Sequence, residues 1–263
     1  MLIALIIQTL SLNLWSMDQF YGTVSLQGCS GALVTVHGRS MDQKAWVLTN
    51  GHCILELKKF ALTSIPIPRT QFMALLHKNQ NETFAIYIQK LIYSTIKKTD
   101  IALYQLDESY TQIYQRTGVM PLVISQSEAQ EGESFILVSA FWRNDRRCQV
   151  DGIVHQLQEG PGVFKRSVRY IHCETKGGQS GSPLISELSG EVIAIHNSFN
   201  RDGQLCRLQN PCEINEQGDK NAVHRAAYGQ QVAWIYNCLD ENFEWSLNER
   251  NCKLPESLTP LLH

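Results

Sequence analysis

Short runs rich in Val, Ile, Leu, Tyr and Phe recur along this chain at roughly 10-residue spacing, with turn residues between them. They cover residues 23–26, 32–37, 45–49, 72–76, 84–93 and 101–106, and resume at 135–141, 149–157, 163–172, 183–186 and 191–196. Within Phe84-Ala85-Ile86-Tyr87-Ile88-Gln89-Lys90-Leu91, apolar side chains fill one face and overflow onto the other. Regular short strands of this kind predict an all-β sandwich or barrel. Only the end reads as helix: Val232, Ile235, Tyr236 and Leu239 fall at helical steps after Gly229. With a turn near Thr117-Gly118, the expected map is a β-rich half over 20–118, a second over 119–228, and a helical tail over 229–263.

Composition narrows the classes further. The 263 residues are 43% hydrophobic and 18% charged, which suits a buried core and excludes intrinsic disorder. Twenty-three basic against 25 acidic residues, with no long block of one sign, leave no electrostatic footprint for nucleic acid. The longest apolar run, residues 2–7, is far short of the roughly 20 residues that span a bilayer.

Eight cysteines, Cys29, Cys53, Cys148, Cys173, Cys206, Cys212, Cys238 and Cys252, are spread along the chain without a CxxC pair. An even count at such spacing favours disulfides in an oxidising compartment over a structural zinc site. The opening residues 1–16, an apolar stretch running into polar ones, read as a secretory leader although no Lys or Arg precedes them. A secreted or periplasmic protein is expected. Asn81-Glu82-Thr83 is a glycosylation acceptor if the source is eukaryotic.

Three short segments carry reactive side chains. Val47-Leu48-Thr49-Asn50-Gly51-His52-Cys53 ends a strand and hands a histidine to a loop; Asp100 precedes the apolar run Ile101-Ala102-Leu103. Gly177-Gly178-Gln179-Ser180-Gly181-Ser182-Pro183 sets a serine in a glycine-rich turn feeding a strand. Each alone has a plain reading as a polar loop residue or a turn former. Their order, His then Asp then Ser, each in its own local context, gives them chemical meaning. A serine hydroxyl is a poor nucleophile near neutral pH and needs an adjacent base, which in turn needs an orienting carboxylate.

From about Gly22 to Tyr236 the sequence resembles the chymotrypsin-like serine peptidases. The likeness rests on Cys29-Ser30-Gly31, Thr49-Asn50-Gly51-His52-Cys53, Asp100-Ile101-Ala102-Leu103 and Gly178-Gln179-Ser180-Gly181-Ser182-Pro183. The last is the GxSGSP form of bacterial-type members and glutamyl endopeptidases; Asn50-Gly51 stands where two alanines are commoner. The resemblance implies two antiparallel six-stranded β-barrels with the cleft between them. It implies His52 as base, Asp100 as its orienter, Ser180 as nucleophile, and an oxyanion hole from the Gly178 and Ser180 amides. Such an enzyme is a secreted endopeptidase that acts on protein or peptide substrates as a monomer, without a metal or organic cofactor. Gln179 stands where trypsin has the aspartate that pairs with a newly cleaved N-terminus, so that activation switch is not expected here.

The resemblance leaves specificity between two readings. Glu174 falls at the place of trypsin's acidic pocket base, which favours Lys or Arg at the cleaved bond. Thr175 and His196 instead match residues that bind a substrate carboxylate in glutamyl endopeptidases, and the balance favours Glu or Asp. Phe199 sits where smaller residues keep the pocket open. A catalytically silent homologue serving as a binding module is the other alternative. Cys29–Cys53 and Cys148–Cys173 are bridges that the resemblance implies; Cys206–Cys212 and Cys238–Cys252 are paired by proximity. The tail, with Phe243, Trp245 and Leu247, could be an added strand or a covering segment.

Overall fold

The computed structural model describes residues 18–54, 61–66 and 73–254. The expected leader over residues 1–16 lies outside them, as does Phe72 at the start of one expected strand.

In the first half, strands β1 (Thr23–Leu26), β2 (Cys29–Thr35), β3 (Lys44–Thr49), β4 (Ala61–Pro66), β5 (Met73–His77), β6 (Thr83–Thr95) and β7 (Ile101–Ser109) pair antiparallel. The path β1-β5-β6-β7-β3-β2 returns to β1, closing a six-stranded barrel, with β4 added along β6. Closure leaves these six strands without a free edge. Alternation along β3 shows why a barrel forms here. Ala45 and Val47 point into the barrel core with Leu33, Ile86 and Tyr104, while Trp46 and Leu48 point outward. The outward set is buried as well. Ala32, Val34, Trp46, Leu48, Ile101 and Leu103 form a second core with Val192, Ile195, Val232 and Ile235 from the other half. Strands β2, β3 and β7 are therefore apolar on both faces, as their sequences read.

A helix absent from the expected map, α1 (Tyr110–Thr117), follows β7. Ser109 accepts from the Gln112 amide while the Gln112 side chain accepts from the Ser109 amide, a reciprocal cap, and Gly118 ends the helix. The signal, Ser-x-x-Gln with glycine after one turn-pair, was in the sequence. Strand β8 (Leu122–Val123) then pairs parallel with β2 and leads across to the second half.

The second half is a nine-stranded antiparallel sheet. It comprises β9 (Ser134–Ser139), β10 (Asn144–Gln149), β11 (Gly152–Glu159), β12 (Gly162–Tyr170), β13 (Pro183–Ser186), β14 (Val192–Phe199), β15 (Cys212–Ile214), β16 (Lys220–Asn221) and β17 (Ala227–Gln231). Its order is β10-β9-β13-β14-β17-β12-β11-β15-β16. Phe135, Leu137, Val168, Tyr170, Leu184, Ala194 and Ala227, from five of these strands, meet in one core, which requires the sheet to curl. The all-β, chymotrypsin-type architecture is thus present, as one closed barrel and one curled sheet.

The terminal helix is a 3-10 segment, Ala233–Cys238. Beyond it the chain is a covering segment: Phe243, Trp245, Leu247 and Leu254 lie on the second core, and Trp245 packs 5.2 Å from the Tyr93 ring. Arg39 fixes it from below, donating to the Phe243 carbonyl and the Glu244 carboxylate. All eight cysteines pair as Cys29–Cys53, Cys148–Cys173, Cys206–Cys212 and Cys238–Cys252, the last closing the tail on itself. Among the described residues no helix is long and apolar enough to cross a membrane.

Candidate active site

Strand β3 ends at Thr49, and the next residues form a single 3-10 turn, Gly51–Cys53, that carries His52. The Cys29–Cys53 bridge ties this turn to the start of β2. Buried Asn50 donates to the Asp100 carbonyl at 2.8 Å, joining the turn to the start of β7. The Asp100 carboxylate, itself buried, accepts twice: from the His52 amide at 3.0 Å and on the other oxygen from His52 Nδ1 at 2.6 Å. One carboxylate therefore fixes both the backbone and the ring of His52. The imidazole is 41% exposed at the mouth of a cleft, with its inner face crowded by protein. Burial pulls its pKa down, but the charge and hydrogen bond of Asp100, with Glu159 more distantly, outweigh burial and hold it above 6.5.

Ser180 comes from the second half, in the turn before β13. The first half grips this turn directly. The Ser30 amide donates to the Ser180 carbonyl at 2.8 Å, Ser30 Oγ to the Gly178 carbonyl at 3.2 Å, and Thr49 Oγ1 to the Ser30 carbonyl at 2.7 Å. Gly181 sits against this clasp with φ +79°, and a Cβ there would fall 2.1 Å from Thr49 Oγ1. Side chains larger than hydrogen are excluded at that position by contact and by conformation alike.

The amides of the turn divide into two sets. Gln179 N–H donates to the Lys176 carbonyl and Gly181 N–H to the His196 carbonyl, whereas among the described residues the Gly178 and Ser180 amides have no protein acceptor. Gly178, with φ +88°, adopts a conformation open to glycine; Ser180 lines the cleft, and Gly178 follows Gly177, which lines it too. Gln179 is buried; its Oε1 accepts from the Lys176 amide at 2.7 Å and its Nε2 donates to Asn144 Oδ1 at 3.4 Å. No charge is needed to hold it.

His52, Asp100, Ser180, Thr175, His196 and Phe199 all line one cavity of about 560 Å³. Among the described residues no hydrogen bond joins Ser180 Oγ to His52 Nε2. Catalytic hydrogen bonds of this type are often long in ligand-free structures and tighten on substrate binding. His196 is fully buried with its Nδ1 against the Tyr170 hydroxyl. Burial first, and the His52 charge second, push its pKa down to about 3, so the ring is neutral. Thr175 Oγ1 is buried in the same cavity without a hydrogen-bond partner among the described residues, and Ser198 Oγ lies beside the Glu159 carboxylate.

Glu174 is not brought to the cleft. Its side chain is 69% exposed and lies 3.9 Å from Arg225, while its neighbour Thr175 is buried and takes the inward place. The cavity instead holds a carboxylate that the sequence reading missed, Glu159, at the end of β11. It accepts from the Gln209 amide at 2.7 Å. Burial raises its pKa, partly offset by the neighbouring Ser198 hydroxyl, the Gln209 amide and the His52 charge. Lys176 and Arg201 add two cations to the lining. Glu159 sits in a Glu-Gly-Pro-Gly turn with no motif around it, so only the folding of the β11–β12 hairpin over the cleft reveals it.

Two antiparallel β halves meeting along a buried seam, with the cleft on that seam, define the chymotrypsin-like serine-peptidase fold. The chain belongs to the trypsin-like peptidase domain family, whose model matches residues 29–195, well over half its length. Among solved structures, the MamO protease domain from Magnetospirillum magneticum in its apo form is similar with a TM-score of 0.52 at 13% identity. That match covers 84% of this chain and 96% of that one. Nocardiopsis protease matches at 13% identity over 82% of this chain and 93% of that one, TM-score 0.46. Neuropsin, a serine protease of mouse brain, matches at 14% identity over 82% and 91%, TM-score 0.45. At 13% identity the likeness to the MamO domain speaks to the fold alone. No curated protein matches the sequence.

Proposed function

We propose that the chain is a secreted serine endopeptidase working through Ser180, His52 and Asp100. The observation that carries this reading is the doubly anchored His52–Asp100 pair on one cleft with Ser180, whose turn has two amides free of acceptors among the described residues. His52 removes the Ser180 proton as Oγ attacks the scissile carbonyl, and Asp100 keeps the imidazole proton on Nδ1 and stabilises the imidazolium. The Gly178 and Ser180 amides receive the oxyanion of the tetrahedral intermediate. His52 then protonates the leaving amine, and water attacks the acyl-enzyme by the same route in reverse. Four disulfides fit an oxidising compartment. The uncharged, fully internal bonding of Gln179 fits an enzyme whose nucleophile turn is set without a cleaved N-terminus.

For the residue at the cleaved bond we favour Glu or Asp. Neutral His196 lines the cavity beside the buried Thr175 hydroxyl, which has no partner among the described residues, and an unmet buried hydroxyl costs about 1–3 kcal/mol. The basic reading loses Glu174 to solvent but gains Glu159, and that one observation keeps it as the second reading. A fluorophosphonate probe and a peptide library test both levels. Labelling of the native chain that disappears in Ser180→Ala, with cleavage after Glu or Asp, is expected. A folded chain that neither labels nor cleaves is the silent homologue; cleavage after Lys or Arg that is lost in Glu159→Gln moves specificity to the second reading.

A further inference from the structure

The peptide that carries one of the two free amides is held from outside the catalytic residues. Trp142, in the turn between β9 and β10, donates its indole Nε1–H to the Gly177 carbonyl at 2.6 Å. The 177–178 peptide is trans, so its carbonyl and its N–H point in opposite directions within one plane. With the carbonyl pinned to the indole, the Gly178 N–H is turned away from Trp142, and it meets no acceptor among the described residues. The indole, on a residue 45% exposed, is braced on its inner side and through its backbone. Phe141 packs edge-on at 5.0 Å, Lys176 Nζ lies 3.9 Å over its ring, and the Trp142 amide donates to Ser139 Oγ at 3.3 Å. Ser139 Oγ in turn meets Ser30 Oγ at 3.1 Å, the hydroxyl that donates to the Gly178 carbonyl. The fit against Gly178 is close: a Cβ there would fall 2.7 Å from Trp142 Nε1 and 2.6 Å from Phe141 Cδ1.

We propose that Trp142 is a positioning residue, its indole N–H latching the 177–178 peptide so that the Gly178 amide is preset to receive the oxyanion. This inference rests on the peptidase reading above. The latch leaves substrate binding alone and acts on the step in which negative charge develops. Without it the peptide can rotate, turning a carbonyl where a donor is needed.

The test uses the full chain and two replacements of Trp142. Trp142→Phe removes the N–H and part of the ring. Benzothienylalanine placed at 142 by suppression keeps the bicyclic shape and removes the N–H alone, and decides the matter if the Phe variant folds poorly. The readouts are kcat and KM on a peptide anilide, and the affinity of a peptide aldehyde whose hemiacetal places an oxyanion in the hole. The expected loss lies between the worth of one hydrogen bond and that of a whole oxyanion donor, roughly 10- to 100-fold in kcat. KM should stay within about twofold, and aldehyde affinity should fall in step with kcat. Unchanged kcat in the benzothienyl variant, or a loss confined to KM, overturns the latch. If the wild-type chain takes no fluorophosphonate label, the peptidase reading fails first and the latch with it, an outcome distinct from a labelled wild type and an unaffected variant.

Discussion

Replacing Asp100 with Asn isolates what the carboxylate does, because the shape barely changes. In the native chain Oδ1 accepts from the His52 amide at 3.0 Å and Oδ2 from His52 Nδ1 at 2.6 Å. An asparagine keeps its oxygen on the backbone amide, since an NH2 group there would face another donor. Its NH2 group then points at Nδ1, which must become an acceptor, and the imidazole proton moves to Nε2. A histidine in that tautomer cannot take the Ser180 proton. The expected cost is about 10⁴-fold in kcat, or about 5 kcal/mol of transition-state stabilisation. The pH profile should move too. In the native chain Asp100 outweighs burial and holds the His52 pKa above 6.5, so activity falls as pH drops through that raised value. Without the carboxylate, burial dominates, and the acid limb should shift below 6.5. Initial rates from pH 5 to 9 on both chains, with thermal melts to confirm folding, measure both effects. A folded variant that loses less than about tenfold, or keeps the native acid limb, would refute the role given to Asp100.

Three other outcomes follow from the packing. His196 stays neutral in the fold down to about pH 3 while an unfolded imidazole titrates near 6.5, so the unfolded chain binds more protons between these values. Native stability should therefore fall as pH drops through that window, by on the order of 4 kcal/mol, and urea melts should show a flatter pH dependence in His196→Gln. Gly51→Ala would set a Cβ 2.2 Å from the Thr95 carbonyl oxygen, with backbone on both sides. It should cost about 1–3 kcal/mol or more and depress activity by moving His52, so an active variant with an unchanged melt would count against the tight turn. Trp245→Ala strips the tail of its contact with Tyr93 and the second core; because the ring is half-buried, a loss of about 2–4 kcal/mol in denaturant melts is expected, with native KM. A loss under about 0.5 kcal/mol would make the tail an ornament rather than a cover.

The β-rich plan and the three reactive segments could be read directly from the chain, because both depend on local pattern. Alternation reports which strand faces are buried, and the turn around Ser180 needs glycines within a few residues of it. The Cys29–Cys53 bridge was readable through the same motifs. Helix α1 was readable too, since Ser109 and Gln112 cap it locally, but its few apolar residues were hidden among strands.

What depended on tertiary structure was the direction of side chains and the company they keep. Glu174 and Thr175 are neighbours in sequence, yet one faces Arg225 in solvent and the other faces the cleft. Glu159 and Trp142 reach the site only because a hairpin and a turn fold over it from residues well before Ser180. The tail could have been a strand; it became a cover because β2, β3 and β7 expose an apolar outer face that the second half leaves partly open. Local periodicity determined the elements and the chemical groups by itself. Which groups share the cleft was decided by long-range packing, because contacts between distant segments leave no periodic trace in the sequence.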